Sequence, residues 1–265
     1  MKIKSFWSWV WIALGTLYFV VPLIATFDFS LRAKKGVLSF LAYQNVFKDP
    51  NFWRTIGFSL EIAFFTIIVA IILVLPTVYW IRLKLPQLRG MIEFISILPF
   101  VVPAIVLVFG LIRVFSGPPF HLTNTFFGTY ILMVAAYVVL ALPYVFRAID
   151  TGLAAIDVRS LTEAAQSLGA NWATILLRII LPNVRVAILS SAFLTLATVV
   201  GEYTMASFLV GIKAFGPYMS LIGQNKTYES SSLAIISFLV TWGFMALIQL
   251  FNRGKADGSS LAGAH

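Results

Sequence analysis

Cysteine is absent from the 265 residues. That excludes a disulfide framework, a thiolate metal site and a cysteine nucleophile. Charge is scarce as well. Asp, Glu, Lys and Arg make up 11% of the chain, against roughly a quarter in soluble domains, and a surface that poor in charge needs lipid as its solvent. There are two histidines, His121 and His265; both read as solvated bystanders, and no histidine–carboxylate cluster suggests a metal or catalytic centre. No G-x-x-x-x-G-K-S/T phosphate loop occurs, so the energy for any ATP-driven process must come from a separate subunit. A formal net charge of +9 raises nucleic acid as a partner, but no basic run or stripe supports that.

What the chain has instead is apolar length. Hydrophobic residues make up 60% of it, and a helix needs about 20 such residues to cross the hydrocarbon core. Six segments qualify: Trp7–Phe27, Ile56–Trp80, Met91–Phe115, Gly128–Phe146, Val184–Val210 and Leu233–Phe251. The alternating pattern of an outer-membrane barrel is missing. The expected fold is therefore an all-α integral membrane protein with six transmembrane helices, one domain over residues 1–252. Lys2 and Lys4 precede the first run as in a signal peptide, but the run is long enough to span and no small-residue cleavage site follows, so it reads as a retained helix. Residues 253–265 read as a disordered tail. Pro22, Pro76, Pro99, Pro103 and Pro143 fall inside spans, where they are expected to kink their helices.

Lys and Arg set the orientation. With both termini inside, the inner segments hold Lys2, Lys4, Arg82, Lys84, Arg89, Arg147, Arg159, Arg178, Arg185, Arg253 and Lys255. The bias is modest, because Arg32, Lys34, Lys35, Lys48 and Arg54 lie in the first outer loop.

The longest inner segment, Arg147 to Arg185, contains two amphipathic stretches. Leu161, Ala164, Ala165 and Leu168 follow helical spacing, and so do Trp172, Ile175, Leu176 and Ile179. Gly169 between them suits a left-handed C-terminal cap, and Leu181-Pro182 closes the second stretch and opens the fifth span. Ser160-x-x-Glu163 has the form of a capping box. Two short helices joined by a sharp turn on the inner face form a shape suited to docking a partner.

The spacing within that loop is specific: Glu163-Ala164-Ala165, three residues, Gly169, nine residues, Ile179, one residue, then Leu181-Pro182. It resembles the signature loop of permeases in binding-protein-dependent ATP-binding-cassette importers of type I, and with six spans around it the resemblance covers nearly the whole chain. The resemblance implies that residues 157–182 form the coupling helix that sits in a cleft of a cytoplasmic ATPase. It implies two ATPase subunits holding ATP and Mg²⁺, a second permease subunit and an extracytoplasmic solute-binding protein. This chain would carry no cofactor and no catalytic residue, and would sit in a bacterial plasma membrane with both termini cytoplasmic.

Glu202, in Gly201-Glu202-Tyr203-Thr204, is a carboxylate within the fifth span. Such a group faces a cavity or a partner. It lines a translocation pathway with Tyr203 and Thr204, or it pairs with a cation or hydroxyl on a neighbouring helix. Glu61 and Arg113 read as interfacial or paired charges near outer span ends, and Glu93 as an interfacial charge. The run around Glu202 and the stretch Tyr144–Asp150 are similar to the spermidine/putrescine group of permeases, whose relatives carry iron, thiamine or phosphonates. An acidic group in the pathway would suit a cationic polyamine. An ion-coupled secondary transporter using Glu202 is the alternative from another class, but no inverted repeat is visible.

The cysteine-free chain allows a clean topology test. A single cysteine at Ser167 is expected to react with an impermeant thiol reagent in inside-out vesicles and to stay unlabelled in intact cells. Labelling from outside intact cells would reverse the orientation.

Overall fold

Hydrocarbon offers a backbone amide no partner, so a chain this apolar satisfies its amides internally by winding into helices. The computed structural model describes residues 2–253, with side-chain surroundings for residues 7–247; the expected tail beyond Arg253 lies outside the described residues. All regular elements among those residues are helical. In chain order they are α1 (Lys2–Ser30), α2 (Leu41–Lys48), α3 (Pro50–Lys84), α4 (Arg89–Val101), α5 (Ala104–Phe115), α6 (Phe126–Ala154) and α7 (Val158–Ser167). Then come α8 (Trp172–Thr174), a π-helical stretch Ile175–Ile180, α9 (Leu181–Asn183), α10 (Arg185–Gly201), α11 (Thr204–Leu209), α12 (Phe215–Asn225) and α13 (Thr227–Arg253).

Four helices, α1, α3, α6 and α13, are long and apolar enough to cross a membrane alone. Two bent pairs bring the number of spans among the described residues to as many as six. The bends correct the expected spans. Met91–Phe115 is broken, with α4 and α5 meeting at 97°. Proline disfavours helical backbone in the residue before it, and Val102 is extended, at ψ 119°. Pro103 also has no N–H to give the Pro99 carbonyl. Val184–Val210 is broken too: α10 stops at Gly201 and Glu202 turns extended, at ψ 128°. Leu181-Pro182 closes the second stretch as expected: the rod Trp172–Asn183 ends one residue after Pro182 and meets α10 at 78°. The short amphipathic α2 and α12 fall below the length that marks a span, and α13 starts six residues before the expected Leu233.

The centre of the bundle is α3, α6 and α10, which pack on one another. Tyr79, Tyr137, Ile149, Leu153 and Leu233 are enclosed there. α1 stands apart, its most apolar window unburied, and meets α13 through Phe29 and Tyr228, whose rings are 4.9 Å apart. On the side where α2 lies, the Asp49 carboxylate caps α3 by accepting the Asn51 N–H at 2.8 Å and also accepts the Tyr218 hydroxyl at 2.7 Å. Glu61 is paired, accepting the Tyr130 hydroxyl at 3.1 Å.

α6 and α10 approach most closely at Gly152, where an added Cβ would lie 2.6 Å from Ala187 Cβ. Gly152→Ala is expected to force the two helices apart and destabilise the protein by about 1–3 kcal/mol. Gly110→Ala, with nothing within 4 Å of its added Cβ, should be neutral. Thermal unfolding of both in detergent checks this; equal midpoints would contradict it.

Candidate functional site

The inner loop begins with a cap. Asp157 accepts the Ser160 N–H at 3.1 Å and the Ser160 hydroxyl at 2.6 Å. The expected capping box between Ser160 and Glu163 is therefore not formed. An aspartate three residues upstream reaches the orphan amide first, and Glu163 turns along α7 to accept from Arg159 Nε at 2.8 Å. The hydrogen bond from the Ser160 hydroxyl, then that from its amide, holds the Asp157 carboxyl below the usual aspartate range. The cap thus contributes above the ordinary aspartate pKa and is lost as pH falls through the depressed one.

Gly169 ends α7 as expected. Its φ is +78°, a conformation that L side chains avoid. The Gly169 N–H bonds the Gln166 carbonyl at 2.9 Å and the Ala170 N–H bonds the Ala165 carbonyl at 3.0 Å, the paired pattern of a Schellman turn. The buried face of α7 is rotated from the expected one. Val158, Thr162 and Ala165 are buried, whereas Ala164 is exposed and Leu168 is 88% exposed. The tip of the loop therefore presents Ala164, Leu168 and Gly169 to solvent beside the polar Glu163, Gln166 and Ser167. In the second arm Ile175 is fully buried, Trp172, Leu176, Ile179 and Leu181 are half-buried, and Pro182 is exposed.

Sequence reasoning missed what holds this loop. Tyr79 and Trp80 near the inner end of α3 meet Trp172, with ring centroids 6.2 and 4.5 Å away. Lys84 Nζ lies over both indoles, 4.8 Å from the Trp80 ring and 5.4 Å from the Trp172 ring. Tyr79 and Thr162 hydroxyls are 2.9 Å apart. Thr162 gives its proton to the Val158 carbonyl, so Tyr79 donates. The one local signal was Trp80 with Lys84 four residues on, a helical cation–π spacing. Beside the clamp, Asp150, 8% exposed, takes Arg82 Nε at 2.6 Å and Arg89 at 2.8 Å. That pairing ties the start of α4 and the end of α3 to α6.

The second cluster surrounds the break after α10. Glu202 accepts the Met205 N–H at 2.9 Å on Oε1, and the Ala206 N–H at 3.0 Å and the Tyr137 hydroxyl at 3.0 Å on Oε2. A continuous helix would send the Met205 N–H to the Gly201 carbonyl; here the carboxylate takes it and starts α11. Tyr203 is 51% exposed and Thr204 half-buried. Gly216 at the start of α12 lies so close to the Glu202 carbonyl that no Cβ fits. α11 then runs beside α5, with Phe208 and Phe109 rings 4.8 Å apart. Below the α4–α5 bend a cleft of about 770 Å³, lined by α4, α6 and α10, reaches from Phe100 and Leu194 to Arg147 and Asn183.

A bundle of membrane helices with two bent spans, a lined cleft and an exposed, stiffly capped loop defines a permease rather than an enzyme. Residues 83–255 match the family of binding-protein-dependent transport system inner membrane components, and the chain belongs to that family, with the fold of type I ABC importer permeases. The spermidine/putrescine transport system permease protein PotC of Haemophilus influenzae is 28% identical over 248 residues, covering 89% of this chain and 92% of that one. The molybdenum transport system permease protein ModB of Azotobacter vinelandii is 29% identical over 203 residues, covering 70% and 89%. A bacterial alginate ABC transporter, in complex with its alginate-bound periplasmic protein, matches with a TM-score of 0.69 at 15% identity, covering 95% and 96%.

Glu202 satisfies three donors with two oxygens, and a glutamine amide offers only one. Glu202→Gln is expected to strand at least one donor and cost about 1–3 kcal/mol. Tyr137→Phe, which removes one donor and strands none, should cost less. Thermal unfolding of the two ranks them, and the reverse order would contradict the capping role.

Proposed function

We propose that this chain is one of two permease subunits, identical or related, of an ATP-driven importer for polyamines. Two ATPase subunits holding ATP and Mg²⁺ dock beneath it, and a solute-binding protein delivers substrate from outside, as the alginate transporter has a periplasmic partner. Both termini face the cytoplasm, and residues 1–252 act as one permease domain. The observation that carries the docking reading is the loop tip: Leu168, 88% exposed, projects with Ala164 and Gly169 from a capped turn, an exposed leucine that calls for a cleft. Glu163, Ala165, Ile179, Leu181 and Pro182 give the turn its shape and its seat.

Substrate passes beside the two helix breaks. Backbone that leaves a helix at membrane depth is tolerated where it is buried in protein or lines a wet cavity. The helices that follow the breaks at Val102-Pro103 and Glu202-Tyr203, α5 and α11, meet through Phe109 and Phe208. Tyr203 and Thr204 line this path, and Glu202 sets its geometry. Carbonyls freed at the breaks, with a carboxylate behind them, are acceptors, which favours a donor-rich ammonium solute over an oxyanion. The likeness to PotC supports the same solute class. Iron, thiamine or phosphonate importers are the competing readings within the class.

The test is reconstitution. The chain, co-expressed with its neighbouring transport genes, should purify with an ATPase subunit and drive ATP-dependent spermidine uptake into proteoliposomes, with molybdate giving none. Purification without an ATPase subunit would sink the importer reading; uptake of another solute instead would sink only the polyamine assignment.

A further inference from the structure

The inner loop and the break at Glu202 lie at different depths, and two helices link them: α6, which leads into the loop and meets Glu202 through Tyr137, and α3, which reaches the break through the start of α12. At its inner end α3 grips the two arms of the loop. Tyr79, fully buried, donates to Thr162 on α7 at 2.9 Å, and Trp80 stacks on Trp172 of the second arm. Twenty residues earlier, about 30 Å along a helix, buried Ser59 accepts the Phe215 N–H at 2.9 Å. Phe52, further along the same helix, meets the Phe215 ring edge-on at 6.4 Å. Gly216, next in the chain, lies against the Glu202 carbonyl with no room for a side chain between them. The two hydrogen-bonded joints, Tyr79–Thr162 and Ser59–Phe215, lie between buried groups, and such packing switches between arrangements rather than stretching. Helix α3 runs as one helix over Pro50–Lys84, with Pro76 inside it between the two joints.

We propose that α3 carries the displacement of the coupling loop to the Glu202–Tyr203 break, with Tyr79 as the inner joint and Ser59 as the outer joint. This rests on the importer reading above. Tyr79 and Ser59 are positioning residues: they touch neither nucleotide nor solute, and they act through Thr162 at one end and Phe215-Gly216 at the other. Two other routes exist: along the chain from the loop into α10, past the 78° bend at Val184, and back through α6, whose Tyr137 donates to Glu202. The routes separate experimentally, because Tyr79→Phe opens the α3 joint and leaves the α10 and α6 routes intact.

The absence of native cysteine provides the reporter. Gly201→Cys places a thiol at the break where nothing lies within 4 Å of the added Cβ. In the complete transporter, reconstituted in proteoliposomes, the rate of its reaction with a water-soluble maleimide is measured without nucleotide and with ATP plus vanadate. The reporter alone should show a several-fold rate difference. Adding Tyr79→Phe should abolish most of that difference and lower solute uptake per ATP hydrolysed, while hydrolysis continues. Thr162→Ser, which keeps the accepting hydroxyl, should preserve both. Ser59→Ala should act like Tyr79→Phe; it also strands the Phe215 N–H, so Tyr79→Phe, which strands nothing, decides. An undiminished nucleotide response in Tyr79→Phe overturns the α3 route. If the reporter alone shows no nucleotide response although ATP-driven uptake proceeds, the break does not move with the cycle and the route again falls. If no ATP-driven uptake is found at all, the importer reading fails first.

Discussion

A peptide group that leaves its helix within hydrocarbon must be satisfied by the protein itself. This chain breaks two of its spans at that depth, and much of its architecture follows from how the breaks are held. At Val102-Pro103 the break is written into the backbone, since proline offers no donor and forbids helix before it. At Glu202 a side chain does the work: one carboxylate receives the Met205 and Ala206 amides of the first turn of α11 and the Tyr137 hydroxyl together. Without it, those two amides would lose their partner within the fold. The packing around the break is built for close approach, with Gly216 lacking the side chain that would push α12 away.

The same economy governs the inner face. α7 is a ten-residue helix, too short to be stable alone. It is held by Asp157 at one end, the Gly169 turn at the other and the Tyr79–Thr162 contact along its flank, while Trp80 against Trp172 holds the second arm beside it. Asp150 with Arg82 and Arg89 fixes the helix ends beside it. What is left free is the tip. A loop that is rigid in its body and projects a single exposed leucine at its end transmits force rather than absorbing it.

The apolar runs that make the spans were legible because a bilayer demands about 20 apolar residues in a row, and nothing else in this chain mimics that. Gly169 was legible because so few residues accept its backbone angle. The breaks were not, because hydropathy reads side chains and the breaks concern amides: Met205 to Val210 continues the apolar run after Glu202, Tyr203 and Thr204 without marking that the helix has stopped. The capping box at Ser160 was misassigned because Asp157 offers a better acceptor to the same amide. The rotated face of α7 was hidden because alanine and leucine at the tip look like core residues until the turn exposes them. The clamp was out of reach, since Tyr79 and Thr162 are 83 residues apart and meet only in the fold. Proline at position 103 was the one sequence signal for a bend that could have been weighed more heavily, with Val102 before it constrained to extended backbone.

The account turns on whether the exposed turn at Leu168 seats in an ATPase subunit. Site-specific cross-linking tests this directly, using a single cysteine at Leu168 and a short thiol-reactive photo-cross-linker in native membranes. The account predicts one cross-linked product containing an ATP-binding subunit, lost when the cysteine is moved to Lys226 near α2. A Leu168 cysteine that cross-links only to lipid or to a solute-binding protein, or a Lys226 cysteine that captures the ATPase, would contradict it.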